Sequence, residues 1–448
     1  MLTPMAPPEP RWKRVRSPYD LRRVERFHAV GVAGAGPVAV TTSGQPWHYA
    51  AGIRYQLPWY DRSCRRTQTA VIRVHATIER GQVGIGVTDD EHRFLDETIR
   101  RAGDGEDTFN LLVGNLGAAR WLIVRDGGEP DGPAHLVIRR ISVFRLPAVG
   151  ADDMLRPPDG LQLVPVAGWS RYYGERFTEL AEKLRAFRYQ LLARPLPMPW
   201  LDGLRVLIHP CNEMSRALYV SGLYEPTDAV VIGRLLPPGG TFFDLGANMG
   251  VFSLLAAQRL GPAGEVHAFE PSAREYTRLV DNLRLNGLAH RVRAERAALA
   301  DRAGCGYLRV AEDTHSGLNT LGDGFAYAGV AEAGLETVPV LRLDDYVRAQ
   351  GVQRLDVIKM DIEGGEGRAL AGAGTVLRGL RPRIVFEVNE SALGRQGSSA
   401  AQVQDLLAGH GYRLWQIDDA TADLLPLADL TRSASGNVVA LPGEALVP

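Results

Sequence analysis

Hydrophobic and polar residues alternate in short runs over the first third of the chain. From about Val24 to Leu146 the runs include TAVIRVHATIE, GQVGIGVTD and ARWLIVRD, and Gly, Asp, Asn or Pro separates them. Alternation buries one face of a strand and leaves the other in water, and short strands between frequent turn residues are typical of all-β domains. The pattern predicts a β-sandwich at residues 24–146.

A helical pattern follows a segment that is rich in Pro, Gly and Asp. Apolar residues recur at helical spacing and stop before Pro195; they are Phe177, Leu180, Leu184, Phe187 and Leu191. This spacing predicts one amphipathic helix whose apolar stripe packs between domains rather than in a membrane. We therefore expect a linker and a helix at residues 147–200.

The remaining part of the chain alternates between strand and helix patterns. The strand patterns GTFFDLGAN and GEVHAFEP are each followed by a helical one, VFSLLAAQRLG and SAREYTRLVDNLRLNG, and LDVIKM and PRIVFEVNE supply further strands. Such alternation predicts an α/β domain with a doubly wound, mostly parallel sheet at residues 201–448.

The loop after the first strand of this domain is the strongest candidate for a ligand site. Gly246 and Gly250 stand at a strand tip, where glycine lets a ligand approach the backbone, and the helix starting near Val251 directs its N–H groups there. The dinucleotide fingerprint G-x-G-x-x-G is absent, which disfavours a dehydrogenase. Asp244 would repel a pyrophosphate but could accept hydrogen bonds from a cationic amine.

Glu270 ends the second strand, 26 residues after Asp244, where an acid can hold two ribose hydroxyl groups. An amino-acid group and a ribose without a phosphate describe S-adenosylmethionine. The predicted cofactor-binding residues are Asp244, Gly246, Asn248, Gly250 and Glu270.

From roughly Leu201 to Leu441 the chain resembles the FkbM-type methyltransferases. The resemblance rests on FFDLGANMGVFSLLAA and LDVIKMDIEGGEGRALAGA, which contain D-x-G-A-N-x-G and K-x-D-x-E-G-x-E in this order, and on VHAFEPSAREYTRLVDNLRLNG and RPRIVFEVNE. It implies a Rossmann-like, seven-stranded methyltransferase sheet and dependence on S-adenosylmethionine. It also implies methylation of hydroxyl groups on glycans or polyketide-type natural products.

Methyl transfer to an aliphatic hydroxyl group requires a base that accepts the hydroxyl proton or a metal ion that lowers the pKa of the hydroxyl group. Acids at the tips of the later strands are candidates, as is one histidine in a loop; the predicted catalytic residues are Asp361, Glu363, Glu387 and His315. The simpler interpretation of Glu366 is that it caps the next helix. The metal alternative is a magnesium ion bound by Asp361, Glu387 and Asn389, which offer the oxygen ligands that this ion prefers.

Composition excludes several other classes of function. The 51 basic and 52 acidic residues give a net charge of −1, so no global field favours nucleic acid or an anionic membrane. The three cysteines are far apart, which argues against a disulfide framework and a cysteine metal site. No run of 18 apolar residues occurs, which argues against a membrane-spanning helix. We expect a disordered, proline-rich tail at residues 1–23, no membrane span and a cytoplasmic location.

The aromatic residues of the predicted sandwich include Trp47, Tyr49, Trp59, Tyr60 and Trp121. They could stack on sugar rings, although we expect most of them in the core, with Trp59 and Tyr60 in an exposed turn. The sandwich would then bind carbohydrate or mediate homo-oligomer formation.

Two hypotheses on function follow. The first is an O-methyltransferase that uses S-adenosylmethionine to methylate a sugar, a glycan or a glycosylated natural product. The sugar or glycan acceptor could be attached to a carrier. The second is a carbohydrate-binding or scaffold protein whose methyltransferase-like domain is degenerate.

Overall fold

A computed structural model describes most of the chain. The described residues are 13–15, 24–26, 31–33, 37–43, 45, 47–54, 69–103, 105–115, 118–127, 132–145, 179–325, 327–419, 421–432 and 436–445. The chain forms two compact units, Met1–Gly150 with Glu179–Phe187, and Ala151–Thr178 with Arg188–Pro448.

The described part of the first unit contains two antiparallel sheets. Its strands are β1 (Lys13–Val15), β2 (Val24–Arg26), β3 (Gly31–Ala33), β4 (Val38–Thr41), β5 (Tyr49–Arg54), β6 (Ala70–Arg80), β7 (Gln82–Thr88), β8 (Phe94–Arg101), β9 (Asp107–Val113), β10 (Trp121–Asp126) and β11 (His135–Arg145). One sheet has the order β3-β4-β11-β6-β9, with β1 also paired to β11, and the other has the order β2-β5-β10-β7-β8.

Apolar side chains from both sheets form one hydrophobic core. Ile72 and Val74 of β6 belong to the same buried cluster as Ile85 of β7 and Leu122 of β10. The alternation in the sequence therefore places one face of each sheet in a shared interior.

The described aromatic residues Trp47, Tyr49 and Trp121 depart from the expectation that most of these residues lie in the core. Trp47, expected in the core, is 49% exposed. Tyr49 and Trp121 are half-buried. Trp59 and Tyr60 lie outside the described residues.

Helix α1 (Glu179–Gln190) begins in the first unit. Leu184 and Phe187 pack against Val71 of β6 and Leu112 of β9, so these stripe residues cover a sheet of the first unit. Lys183 on the same helix donates hydrogen bonds to both carboxylate oxygens of Asp96, at 2.9 and 2.8 Å. Leu191, predicted to belong to the stripe, is 53% exposed because the helix ends one residue earlier.

The second unit is built on a large mixed sheet. Its strands are β12 (Leu196–Pro199), β13 (Arg205–Ile208), β14 (Thr241–Leu245), β15 (Glu265–Phe269), β16 (Val292–Glu295), β17 (Ala298–Leu299), β18 (Gly304–Ala311), β19 (Glu332–Leu341), β20 (Val357–Met360), β21 (Arg383–Val388), β22 (Tyr412–Ile417), β23 (Leu424–Leu427) and β24 (Gly436–Pro442). The large sheet has the order β16-β15-β14-β20-β21-β24-β22-β23, while β12-β13 and β17-β19-β18 form smaller sheets.

The expected count of seven strands differs from the eight observed. The strand β23 adds to the edge of the sheet by pairing antiparallel with β22. Five strands, β16, β15, β14, β20 and β21, are parallel, and β24 runs antiparallel between β21 and β22. The chain order reverses on either side of β14, so β14 and β20 open a crevice at their carboxyl ends.

Helices flank the sheets of the second unit. They are α2 (Glu213–Ser221), α3 (Pro226–Leu235), α4 (Val251–Leu260), α5 (Ala273–Leu285), α6 (Leu343–Gln350), α7 (Glu366–Ala371), α8 (Gly374–Gly379), α9 (Glu390–Arg395) and α10 (Ala400–Gly409). Over the part of the chain that the structure describes, no helix has the length and apolar character needed to cross a membrane.

Candidate active site

A cavity of about 470 Å³ lies at the carboxyl ends of the central parallel strands. Seven of the residues predicted from the sequence line it, and they come from four strand ends and one loop: Gly246, Asn248, Glu270, His315, Asp361, Glu363 and Glu387. Residues that are far apart in the chain therefore meet at the crevice that the strand order predicts.

Gly246 lines the cavity and is also required by the packing of the loop. Its φ angle is +86°, and a Cβ atom there would lie 1.8 Å from the carbonyl oxygen of Asp361. The backbone after β20 therefore passes too close to Gly246 for any side chain at this position, while contact of this glycine with a ligand stays a prediction. Gly250, with a φ of +87°, similarly leaves room for Leu279, since a Cβ would lie 2.5 Å from Leu279 Cδ1.

Glu270 fixes the loop after β14 to the end of β15. Its carboxylate accepts hydrogen bonds from the backbone N–H of Asn248 at 2.9 Å and of Ser272 at 2.8 Å. Burial raises the pKa of Glu270 to about 8. The carboxylate lines the cavity, and each of its oxygens can accept a second hydrogen bond.

Asp244 lies behind the cavity, not among the residues that line it. It is 1% exposed, its Oδ2 accepts a 2.6 Å hydrogen bond from Ser253 Oγ, and its Oδ1 has no hydrogen-bond partner among the described residues. Burial raises the pKa of this carboxyl group, and the charge of Lys359 partly opposes that effect. The expected contact between Asp244 and a ligand amine stays a prediction, and the carboxyl group lies behind the residues that line the cavity.

Lys359 on β20 supplies a positive charge beneath the acids of the cavity. Its Nζ donates a 2.9 Å hydrogen bond to Asp361 Oδ2, lies 3.6 Å from Glu225 Oε2 and stands 4.5 Å from the centre of the Phe252 ring. The neighbouring acids raise its pKa well above the ordinary value despite burial. The lysine is therefore a fixed cation that pairs with Asp361.

Glu225 is a residue of the cavity that sequence reasoning missed. It precedes α3 in a left-handed conformation, with φ 42° and ψ 63°, and its Oε2 has no hydrogen-bond partner among the described residues. Burial raises the pKa of its carboxyl group. The signal available in the sequence was an acid directly before a helix-starting proline in GLYEPTD.

Three carboxyl groups form a cluster on one side of the cavity. Oxygens of Asp361, Glu363 and Glu387 lie within 4.8 Å of one another. Burial and the neighbouring acids raise the pKa of Glu363 to about 10 and that of Glu387 to about 7. At neutral pH this cluster therefore holds at least one proton.

Asn389 and Glu366 have structural roles at the ends of helices. Asn389 Oδ1 accepts a hydrogen bond from Ala392 N at 3.1 Å, which caps α9, and its Nδ2 donates to the Tyr327 hydroxyl at 3.1 Å. Glu366 Oε1 accepts a 3.1 Å bond from Ile362 N. Of the three residues expected to bind magnesium, Asp361 and Glu387 come together, and Glu363 joins them in place of Asn389.

His315 lies on a short 3₁₀ segment, Asp313–Leu318, that borders the cavity. The segment is anchored because Asn212 Nδ2 donates to Asp313 Oδ1 at 2.9 Å and to Ser316 Oγ at 2.7 Å. Arg278 adds two further bonds of 2.7 Å to the Asp313 carboxylate. The histidine is therefore held at the cavity by a well-connected segment.

Comparison with known proteins adds to this geometry. The family described as "Methyltransferase FkbM domain" matches residues 244–414. A relative named 31-O-demethyl-FK506 methyltransferase FkbM, from Streptomyces tacrolimicus, is 32% identical over 207 residues, which are 40% of this chain and 75% of that protein.

Two further relatives match the same part of the chain. Methyltransferase sdnD of Sordaria araneosa is 29% identical over 201 residues, covering 40% of this chain and 75% of the relative. The 2-O-methyltransferase NoeI of Sinorhizobium fredii is 28% identical over 177 residues, covering 34% of this chain and 68% of the relative.

These relatives decide between the two hypotheses from the sequence in favour of an enzyme. The matched residues contain the loop after β14, the acid cluster and Lys359. The chain belongs to the FkbM methyltransferase family, and it is an enzyme that transfers methyl groups.

Proposed function

We propose that the protein transfers the methyl group of S-adenosylmethionine to a hydroxyl group of a sugar, a glycan or a glycosylated natural product. The observation that supports it most is the meeting of Glu270, the loop after β14 and the acid cluster in one cavity. The names of two relatives describe O-methyl transfer, on an FK506 precursor in one and at a 2-O position in the other.

The charges of the cavity suit a cation better than a phosphate. Apart from Lys359, His315 and two tyrosines, the ionisable side chains that line it are acids, including Glu225, Glu270 and Asp361. Two buried carboxylate oxygens nearby, Glu225 Oε2 and Asp244 Oδ1, have no hydrogen-bond partner among the described residues. S-adenosylmethionine carries an ammonium and a sulfonium group, so acids with free acceptor capacity fit it.

Individual residues of this chain would hold different parts of the cofactor. Glu270 would accept hydrogen bonds from the ribose hydroxyl groups with its remaining lone pairs, while the amide of Asn248 keeps its carboxylate oriented. Glu225 would face the amino-acid end. When bound, S-adenosylmethionine supplies a methyl group on a sulfonium that is its own leaving group. Asp244 would act on this cation through its charge, from behind the cavity.

The acceptor hydroxyl group must lose a proton, and we assign that role to Glu387. Its pKa, raised to about 7, lies near physiological pH, where a general base is most effective. Glu363, with a pKa of about 10, remains protonated and so removes one negative charge beside the base. Asp361 is held by Lys359 and would position the acceptor.

The alternative is a divalent cation bound by Asp361, Glu363 and Glu387. Three carboxylates this close suit a hard cation such as magnesium, which would polarise the acceptor oxygen. Direct base catalysis is favoured because Lys359 already compensates Asp361. The two mechanisms differ in their response to chelation.

We also propose an interpretation of the two units in terms of known architectures. The large sheet would be a Rossmann-like methyltransferase sheet of seven strands extended by β23 at its edge. The two sheets around one core in the first unit would be a β-sandwich that binds carbohydrate.

The experiment that tests the function follows a labelled methyl group. Purified protein is incubated with S-adenosylmethionine labelled in the methyl carbon and with extracts of glycans, small metabolites, protein and RNA, and products are identified by mass spectrometry. We expect the label on a hydroxyl oxygen of a glycan or glycosylated metabolite, and none when Asp361→Asn replaces the parent protein. Label found on nitrogen, or on protein or RNA, would refute the proposal.

A further inference from the structure

The outer face of one sheet in the first unit has an unusual floor of glycines. Val83, Ile85 and Val87 of β7 belong to the core, so Gly84 and Gly86 face outward because side chains alternate along a strand. A Cβ at Gly86 would lie 2.4 Å from the Phe94 ring, and one at Gly84 would lie 2.5 Å from Glu97 Oε1. The glycines therefore allow the side chains of β8 to lie flat on the sheet.

A layer of planar groups covers this floor. Arg125 of β10 pairs with Glu97 of β8, and its guanidinium carbon lies 4.4 Å from the centre of the Trp47 ring and 4.8 Å from that of Phe94. Tyr49 meets Phe94 edge to face, with ring centres 5.9 Å apart. The ion pair is thus framed by aromatic rings, an arrangement that holds each planar group in place.

The layer continues toward Trp121 at the start of β10. His92 stacks on Trp121 with ring centres 6.3 Å apart, and the guanidinium carbon of Arg54 lies 5.7 Å from the Trp121 ring. We call the surface formed by Trp47, Tyr49, Phe94, Trp121, Arg54, Arg125 and Glu97 the aromatic face.

Trp47 is the part of the aromatic face most available to a ligand. Its backbone adopts a left-handed conformation, with φ 66°, and its side chain is 49% exposed. Among the described residues of the first unit, no other large apolar side chain is exposed to this degree. One ring is the size of one sugar ring and offers far less apolar area than a stable protein interface requires.

We propose that the aromatic face binds a neutral saccharide, at a site outside the methyl-transfer cavity. The C–H groups on the flat side of a pyranose would pack on Trp47, and its hydroxyl groups would bond to the Arg125–Glu97 pair, which offers donors beside acceptors. Beside Trp47 the charge of Arg125 is compensated by Glu97, and Arg120 pairs with Asp90 at 2.8 Å, so the part of the face next to Trp47 favours a neutral ligand over an anionic one.

Calorimetry on the full-length protein tests this site. The probes are linear hexasaccharides of glucose, of mannose and of xylose, with an oligogalacturonate of the same length as the acidic comparison. We expect at least one neutral hexasaccharide to bind, Trp47→Ala to weaken it at least tenfold and Trp47→Phe to retain part of the affinity. The control is Tyr307→Ala on β18 of the second unit, which also truncates an exposed aromatic side chain, 69% exposed, and should change nothing.

Three binding results, and one change in oligomeric state, would overturn the proposal. The binding results are no binding of any neutral probe, equal binding by the parent protein and Trp47→Ala, and a preference for the acidic probe. Sedimentation of the same variants checks for a protein interface, because a change in oligomeric state with Trp47→Ala would mean that a second copy occupies the face. The proposal rests on the carbohydrate-binding role proposed above for the first unit, but not on methyl transfer, since binding here and methyl transfer are measured separately.

Discussion

The aromatic face of the first unit and the cavity of the second unit differ in how far their charged groups are paired. On the aromatic face Arg125 is paired with Glu97 and stacked between rings. In the cavity the acids outnumber Lys359, and burial raises the pKa of Glu363 to about 10 and that of Glu387 to about 7. A paired charge beside Trp47 suits a neutral ligand, whereas acids in excess of the one lysine suit a cation and proton transfer.

Glycines admit side chains in the first unit, at Gly84 and Gly86, but a neighbouring backbone in the second unit, at Gly246. The largest expected loss of stability and activity comes from replacing Gly246. At Gly246 both a positive φ and the Asp361 carbonyl oxygen exclude a side chain. We expect Gly246→Ala to destabilise the protein by several kcal/mol, about 3 or more, and to abolish methyl transfer. Thermal unfolding and a turnover assay measure both effects.

The matched control for this change is Gly239→Ala. Gly239 also has a positive φ, +67°, but the nearest atom to an added Cβ lies at an ordinary distance of 3.7 Å. The free energy of unfolding of Gly239→Ala should fall by only about 1 kcal/mol, because of the strained backbone. Equal losses for the two variants would mean that the approach of Asp361 to the loop has no special importance.

The second-largest expected effect is on kcat and comes from replacing the proposed general base. If Glu387 accepts the proton, Glu387→Gln should lower kcat by about 10²- to 10⁴-fold while the cofactor still binds. In the parent protein the carboxyl group loses its proton as pH rises through about 7, so kcat should rise over this range. The variant should lose that rise. A parent profile that is flat from pH 6 to 8 would contradict the assignment.

Chelation distinguishes catalysis by a general base from catalysis by a metal ion. Since we assign the proton transfer to Glu387, dialysis against a strong chelator should change turnover less than about twofold. Loss of turnover with cofactor binding intact, and its recovery with magnesium, would instead assign Asp361, Glu363 and Glu387 to a cation.

A similarly small effect is expected from removing the first unit. The residues of the cavity all lie after Arg188, so a fragment that begins there should bind S-adenosylmethionine within about threefold of the full chain. A fragment that begins at Ser170 should bind equally but dissolve less well, because Leu184 and Phe187 lose Val71 and Leu112. A soluble, folded fragment that does not bind the cofactor would contradict the division into two parts.

The sequence predicted which residues meet in one cavity better than it predicted the contacts that each of them makes. Strand order and the rule for carboxyl ends were sufficient to bring Glu270, Asp361 and Glu387 into one cavity. The role of Gly246 was not predictable, because a glycine that admits a ligand and one that admits a neighbouring backbone have the same sequence signal.

Other features depended on contacts that no local pattern records. Glu225 belongs to the cavity only because α3 begins beside Lys359, a long-range approach. Trp47 was expected in the core, but a left-handed backbone just before β5 places its side chain outside. The edge strand β23 is short, and half-buried or exposed along its length, so alternation did not reveal it.

Cofactor titration of the parent protein, Glu270→Ala and Asp356→Ala tests the central claim most directly. Both carboxylates accept backbone N–H bonds, but Asp356 bonds to Thr241 at the opposite edge of the sheet, at 2.8 Å. We predict that the parent protein binds S-adenosylmethionine one to one, that Glu270→Ala weakens it at least tenfold, about 1.4 kcal/mol, and that Asp356→Ala stays within about threefold. No binding by the parent protein, or equal affinity for Glu270→Ala, would contradict the account.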